Sequence, residues 1–309
     1  MPVIVPDGLP AIHTLANENI TVISELRAKH QDIRPLKIVI LNLMPTKIET
    51  ENQLIRVLSN TPLQVEITFL QTKTHQSKNA KPEHLAAFYQ GFDALKHKCF
   101  DGLIVTGAPI EELAFEEVDY WEELCHILAW SKTHVFSTMH ICWGAQAGLY
   151  FHHNILKYPL NQKLSGIYHH TTKSKRHPML RGFDETFLAP HSRYTEMRSK
   201  DIEADKELEI LSTSKDAGVY IAAAKDFRQV YVMGHPEYDG HTLTLEYVRD
   251  MNKGLNPHVP VNYFPDDNPR HLAQNRWRAH AHLLFNNWLN HVYQEVPYES
   301  HKIKELELR

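Results

Sequence analysis

Apolar and polar positions in the first half of the chain switch repeatedly between strand and helix periods. Leu36 to Leu43 is a nearly continuous apolar run that reads as a buried strand, and Pro45 ends it. Glu49 to Leu58 follows with Leu54, Val57 and Leu58 at helical spacing. Val65 to Leu70 alternates like a half-buried strand, residues 72–83 are a polar loop, and Glu83 to Leu95 suits a helix. Asp101 to Val105 is a strand running into the turn Thr106-Gly107-Ala108-Pro109. Asp119 is expected to cap a helix through Trp130, with Trp121, Leu124, Ile127 and Leu128 inside. Val135 to Met139 is a strand, a turn falls at Cys142, and a helix runs from Trp143 to Tyr150. This β-α-β-α alternation predicts an α/β fold, a mostly parallel sheet with helices on both faces.

The texture changes after residue 155. Short strands are expected at Glu185–Leu188, Glu207–Leu211, Val219–Ala223 and Gln229–Met233, then a helix from near Gly240 to Lys253. His271 to Val292 reads as a final helix whose stripe of Trp277, Ala281, Leu284, Trp288 and Val292 packs into the core. Residues 1–35 are a polar lead-in with one amphipathic stretch, Ile20 to Leu26. The boundaries expected are therefore an N-terminal extension at 1–35, a single α/β domain at 36–296 and a C-terminal tail at 297–309.

Composition narrows the class. The 309 residues are 42% hydrophobic and 23% charged, which excludes general disorder. The net charge of −4 argues against a nucleic-acid partner. Met1 to Asp7 lacks the pattern of a secretory signal, and no run approaches the ~18 apolar residues of a membrane span. Three cysteines, Cys99, Cys125 and Cys142, cannot make a disulfide framework, so a cytoplasmic location is expected. Twenty-two histidines leave metal or proton chemistry open. His140 beside Cys142, and the pair His152-His153, come with no recognised ligand spacing, and no metal is expected. The basic run Lys173 to His177 reads as a solvated loop, with at most a weak attraction for the phosphates of a nucleotide-bearing substrate.

The sharpest local signal is His140-Ile141-Cys142-Trp143-Gly144, a cysteine on a strand-turn-helix. Such a turn exposes a nucleophile above the strand ends. The helix N-terminus favours the thiolate, and the Trp143 backbone N–H would stabilise an oxyanion. Cys125, inside an amphipathic helix, and Cys99 are expected to be inert. A base is needed, and His235 in Gly234-His235-Pro236-Glu237 follows a strand, where residues from a parallel sheet converge on one crevice. Glu237 would orient its imidazole.

These residues resemble the class I glutamine amidotransferase (flavodoxin-like) fold. They resemble one branch more closely, the homoserine O-acyltransferases of methionine biosynthesis. The strings that carry the likeness include Leu41-Asn42-Leu43-Met44-Pro45, Lys47 to Gln53, Asp101 to Pro109, Lys163-Leu164-Ser165-Gly166, Leu188 to Tyr194, Gly234 to Tyr238 and Asn286 to Asn290. They span nearly the whole chain.

The resemblance implies acyl transfer to the γ-hydroxyl of L-homoserine through an acyl-Cys142 intermediate, in a homodimer, with coenzyme A esters as co-substrates and no bound cofactor. It also implies a cation at Lys47 stabilising the thiolate or oxyanion, Arg249 binding the homoserine carboxylate, and Lys163 and Ser192 contacting substrate. Glu246, three residues before Arg249, would pair with it and fix it. Position 111 separates donors in this family, a glycine accompanying succinyl and a glutamate acetyl transfer, so Glu111 implies acetyl-CoA. The physics agrees: a succinyl carboxylate about 4 Å from Glu111 would cost about 4 kcal/mol at an effective dielectric near 20. The alternatives are succinyl transfer by the same residues and a glutamine amidotransferase-type cysteine hydrolase. The latter is disfavoured by His140, which stands where the elbow usually has glycine.

Overall fold

A computed structural model describes residues 3–17, 22–25, 34–74, 81–173 and 177–308. The elements run β1 (Val3–Val5), α1 (Ala11–Asn17), β2 (Val22–Ser24), β3 (Leu36–Leu41), α2 (Lys47–Leu58), β4 (Val65–Gln71), α3 (Pro82–Phe88), β5 (Tyr89–Gly91), β6 (Phe100–Val105), α4 (Trp121–His134), β7 (Val135–Ile141) and α5 (Trp143–His153). The second half adds β8 (Lys157–Thr172), β9 (Thr186–Met197), α6 (Ser199–Ala204), β10 (Leu208–Ser214), β11 (Gly218–Ala224), β12 (Gln229–Val232), α7 (Thr242–Asn252) and α8 (Arg278–Glu295).

All the strands join one sheet, ordered β2-β1-β4-β3-β6-β7-β12-β11-β10-β8-β9, with β5 on β4. Pairing is parallel from β2 to β12 and antiparallel from β12 to β9. The period-2 side chains of β3 show why helices cover both faces. Leu36, Ile38 and Ile40 join one apolar cluster with Leu54 of α2 and Leu284 and Trp288 of α8. Val39 and Leu41 join another with Leu124 and Leu128 of α4 and Trp143 of α5. The mostly parallel sheet read from the sequence is the one observed.

Several elements differ from their expected places. Only part of the amphipathic stretch Ile20 to Leu26 lies among the described residues. Within it Val22–Ser24 is β2, and β1 pairs with β4, so segment 1–35 extends the sheet. The helix expected over Glu83–Leu95 stops at Phe88, because Tyr89–Gly91 turns into a strand on β4. Asp119 does not cap α4, whose N-cap is Tyr120. The final helix starts at Arg278, where Asn275 Oδ1 accepts the Trp277 and Arg278 N–H groups and opens it. The tail carries a 3-10 helix, Ser300–Leu308, with Ile303 fully buried. The largest omission is β8, sixteen residues paired with β9 as a long hairpin.

Candidate active site

Four adjacent parallel strands, β3, β6, β7 and β12, end at the same edge of the sheet, and their following loops converge there. Cys142 directly follows β7 and precedes α5. Its backbone sits at φ 51°, ψ −115°, in a region L-residues rarely adopt. Its N–H donates to Val232 O at 2.7 Å, which ties the turn to β12. Ala145 and Gln146 N–H donate to Cys142 O at 3.0 and 3.1 Å, so the helix N-terminus begins at the cysteine and Trp143 N–H stands ahead of the first intrahelical bonds. Gly144 lets this helix start press on β6: a Cβ there would lie 2.6 Å from Thr106 O.

His235 lies just beyond β12, with its N–H donating to Pro190 O at 2.9 Å. Its Nδ1 donates to Glu237 Oε1 at 2.8 Å, and both side chains are buried. The ring stacks on Tyr238, centroids 4.1 Å apart. Gly107 sits between Cys142 and His235. A Cβ on it would be 3.3 Å from both Cys142 Cβ and His235 Cε1, tighter than an ordinary carbon contact, so glycine lets the loop after β6 close over the pair without displacing either. Burial alone would depress the imidazole. The Cys142 sulfur and the Glu237 carboxylate outweigh it, each through charge and a hydrogen bond, and hold the imidazolium well above its usual range.

Cys142 and His235 open on a cavity of about 750 Å³ that Glu111, Lys163, Ser192, Glu246 and Arg249 also line. Burial pushes the Glu111 carboxyl up, while His235 and Lys163 pull it back. Its turn is held by Lys157, which donates to the carbonyls of Glu111 and Leu113, both at 2.6 Å.

Glu246 does not pair with Arg249. It accepts from Ser192 Oγ, from Tyr238 OH at 2.8 Å and from Lys163 Nζ at 3.4 Å. Arg249 turns to its neighbour Asp250, at 2.8 Å, which also holds Lys163 at 2.8 Å. Lys47 is not brought to the cavity either. Its buried ammonium donates to Asn42 O at 2.5 Å, and burial lowers its pKa to about 8 against the pull of Glu51. A desolvated ammonium takes the nearest carbonyl, here that of Asn42 just past β3, with the Glu51 charge nearby in α2.

Three contributors were not singled out from the sequence. Gly107 lies in the turn after β6, Tyr238 follows the His-Pro-Glu string, and Arg193 lies in the Leu188–Tyr194 string. Arg193 is buried, donates to Thr195 O and Ala217 O at 2.6 Å each, and interacts electrostatically with Cys142. The strings marked their neighbourhoods, but their parts depend on contacts across the sheet.

Elsewhere, Cys125 is a half-buried thiol whose pKa burial raises to about 11, and burial also raises that of Cys99. Residues 174–176 of the basic run lie outside the described residues. Lys173 pairs with Glu203 at 3.1 Å, and His177 is buried. His140 Nε2 donates to Gln229 Oε1 at 2.8 Å, and burial lowers its pKa to about 4. Among the described residues, one group has metal-compatible spacing, His153, Asp205 and Glu207. There His153 is bonded to Asp205 at 2.8 Å and Tyr231 OH at 3.2 Å. No helix among the described residues is long and apolar enough to cross a membrane.

Comparison with known proteins adds names. The family profile described as homoserine O-succinyltransferase matches residues 2–298. A protein of Petrotoga mobilis named homoserine O-acetyltransferase is 56% identical over 96% of this chain and 97% of its own. One of the same name from Acetivibrio thermocellus is 57% identical over 98% of this chain and 100% of its own. Among solved structures, a glutamine amidotransferase from Thermotoga maritima superposes with a TM-score of 0.57 at 13% identity, covering 85% of this chain and 100% of that one. A putative GMP synthase subunit from Thermoplasma acidophilum gives 0.51 at 14% identity, covering 90% and 100%.

Proposed function

The chain belongs to the homoserine O-succinyltransferase family, and we propose that it is a homoserine O-acetyltransferase working through a cysteine nucleophile. The near end-to-end match to relatives of that name carries this reading. The site supports a two-step route. The Cys142 thiolate attacks the thioester carbonyl of acetyl-CoA, and the new C–S bond forms as the carbonyl electrons move to oxygen. The Trp143 N–H faces that developing oxyanion. The oxyanion collapses, the coenzyme A sulfur leaves, and the imidazolium of His235 supplies its proton. L-homoserine then enters and its γ-hydroxyl attacks the acetyl-cysteine. His235 takes the hydroxyl proton, and Cys142 leaves as thiolate. Glu237 keeps Nδ1 of His235 protonated and its other nitrogen turned to the chemistry.

We assign Arg249 and Lys163 to the homoserine carboxylate and Ser192 with Glu246 to its polar end. A carboxylate entering beside Asp250 would compete for the two cations Asp250 now holds. Glu111 favours acetyl over succinyl because its half-buried carboxylate faces the cavity where a second carboxylate would have to sit. Acetyl-CoA is consumed as co-substrate, not held as a resident group. A cytoplasmic location fits three unpaired thiols. A two-fold homodimer is the commonest soluble assembly.

Mixing the protein with acetyl-CoA and measuring intact mass tests the route. An acetyl adduct on Cys142 that disappears on adding homoserine is expected. Activity surviving in Cys142→Ala would overturn the mechanism, and dominant use of succinyl-CoA would overturn the donor.

A further inference from the structure

A second cavity, of about 660 Å³, adjoins the catalytic one. Lys163, Tyr194, Asp250 and Leu255 line both, so the two form one continuous depression with these residues at the seam. We propose that the second cavity receives the pantetheine arm of the acyl donor and directs its nucleotide phosphates outward past Lys253. This rests on the acetyl-CoA reading above and adds where the rest of that molecule lies.

Three observations carry the proposal. The first is lining chemistry. Leu160, Leu164, Tyr247 and Val259 give an apolar trough, and Asn161 and Gln162 add side-chain amides. A pantetheine arm is a chain of methylene groups interrupted by two amides, and it needs this mixture of apolar wall and hydrogen-bonding partners.

The second is charge. The catalytic cavity carries Glu49, Glu111 and Glu112, and from α7 and its C-cap it carries Arg249 and Lys253 together with Glu246 and Asp250. Asp250 holds both Arg249 and Lys163, so among the described residues Lys253 is the lining cation left to an incoming anion, and His258 lines the second cavity beyond. A polyanionic coenzyme tail leaving past Glu111 and Glu112 would meet like charge. Leaving past Lys163 toward Lys253, it meets opposite charge, and His258 offers a ring nitrogen for hydrogen bonding.

The third is that the floor is already built. Val261 N–H donates to Ser165 O at 3.0 Å and Ile167 N–H donates to Val261 O at 2.8 Å, so the loop after α7 is stitched to β8. Gly166, at φ 145°, permits that approach: a Cβ there would lie 2.4 Å from Val261 O.

The test is a donor-truncation series in steady state, using acetyl-CoA, acetylpantetheine and acetyl-N-acetylcysteamine with homoserine. In a two-step mechanism kcat/KM for each substrate reports its own half-reaction. Gln162→Trp, at an exposed position, and Val259→Trp both fill the trough. The expected result is a fall of about tenfold in kcat/KM for acetyl-CoA and acetylpantetheine relative to acetyl-N-acetylcysteamine, with kcat/KM for homoserine within about twofold, the tenfold corresponding to a full decade in transition-state affinity. Lys253→Glu should lower acetyl-CoA use while sparing acetylpantetheine, which has no nucleotide. If the Trp variants change all three donors equally, or none, the arm lies elsewhere and the proposal falls while homoserine acetylation stands. If the wild-type protein acetylates homoserine from none of the three, that reading falls and this one with it.

Discussion

Gly107→Ala isolates one methyl group at the point where nucleophile and base meet. No unusual backbone angle is required at residue 107, so the substitution adds a Cβ and little else. That Cβ would stand 3.3 Å from Cys142 Cβ and 3.3 Å from His235 Cε1, inside the roughly 3.5–4.0 Å of an optimal carbon contact. Each neighbour must give by a few tenths of an ångström. Neither has slack: Cys142 is tied by its N–H to Val232 O at 2.7 Å, and His235 by Glu237 at 2.8 Å and by stacking on Tyr238. The displacement therefore separates sulfur from imidazole by up to about half an ångström. A misplacement of about 1 Å costs about 100-fold, so half of that costs roughly tenfold, or about 1.4 kcal/mol of transition-state stabilisation. On the proposed mechanism one Cys–His pair serves both half-reactions, so kcat/KM should fall about tenfold for acetyl-CoA and for homoserine alike. Alkylation of Cys142 by iodoacetamide should slow in parallel. Stability should drop by about 1 kcal/mol from overpacking. Steady-state kinetics with both substrates, read beside a thermal melt, decides it. Activity within twofold of wild type for both substrates, or a loss confined to homoserine, would refute the reasoning.

Three further outcomes follow from the same geometry. Glu111→Gly should raise kcat/KM for succinyl-CoA at least about tenfold, since the like-charge cost it removes is about 4 kcal/mol before water screens it; unchanged discrimination in a paired-donor assay would sink the charge argument. Glu237→Gln should cut kcat/KM for both substrates by about 100-fold or more, because it removes the negative charge that holds the imidazolium proton and lets an amide NH2 face Nδ1 and favour the wrong tautomer; retention within threefold would show that His235 needs no orienting carboxylate. Stability should fall on acidification below about pH 6.5. Burial lowers the pKa of His140 and His177 to about 4 and of His170 to about 3, so the unfolded chain binds more protons in that window and gains on the fold as pH drops. His140 alone is worth up to about 3 kcal/mol near pH 4. A urea midpoint at pH 5 equal to or above that at pH 7 would contradict it.

The parallel half of the fold was legible because its strands are covered on both faces and so read as largely apolar segments, most clearly at Leu36–Leu41. The meeting of Cys142 and His235 was legible because each stands one to three residues past a strand of that sheet. The β8 strand was not. Its first half has no buried residue and reads Lys157-Tyr158-Pro159-Leu160-Asn161-Gln162, with a proline and no period, and only pairing with β9 makes it a strand. Helix spacing placed Glu246 beside Arg249. It could not show that Ser192 and Lys163 arrive from the hairpin to take one oxygen of that carboxylate, or that Asp250 takes the arginine. Local pattern reports neighbours on one element, and partner choice is settled between elements.

The positive φ of Cys142 has an evolutionary consequence. A non-glycine residue held there carries strain on the order of 1–3 kcal/mol. Glycine at the same position would relax the backbone and abolish the thiol. On the proposed mechanism, position 142 is thus a point where selection for a sturdier chain and selection for turnover point in opposite directions.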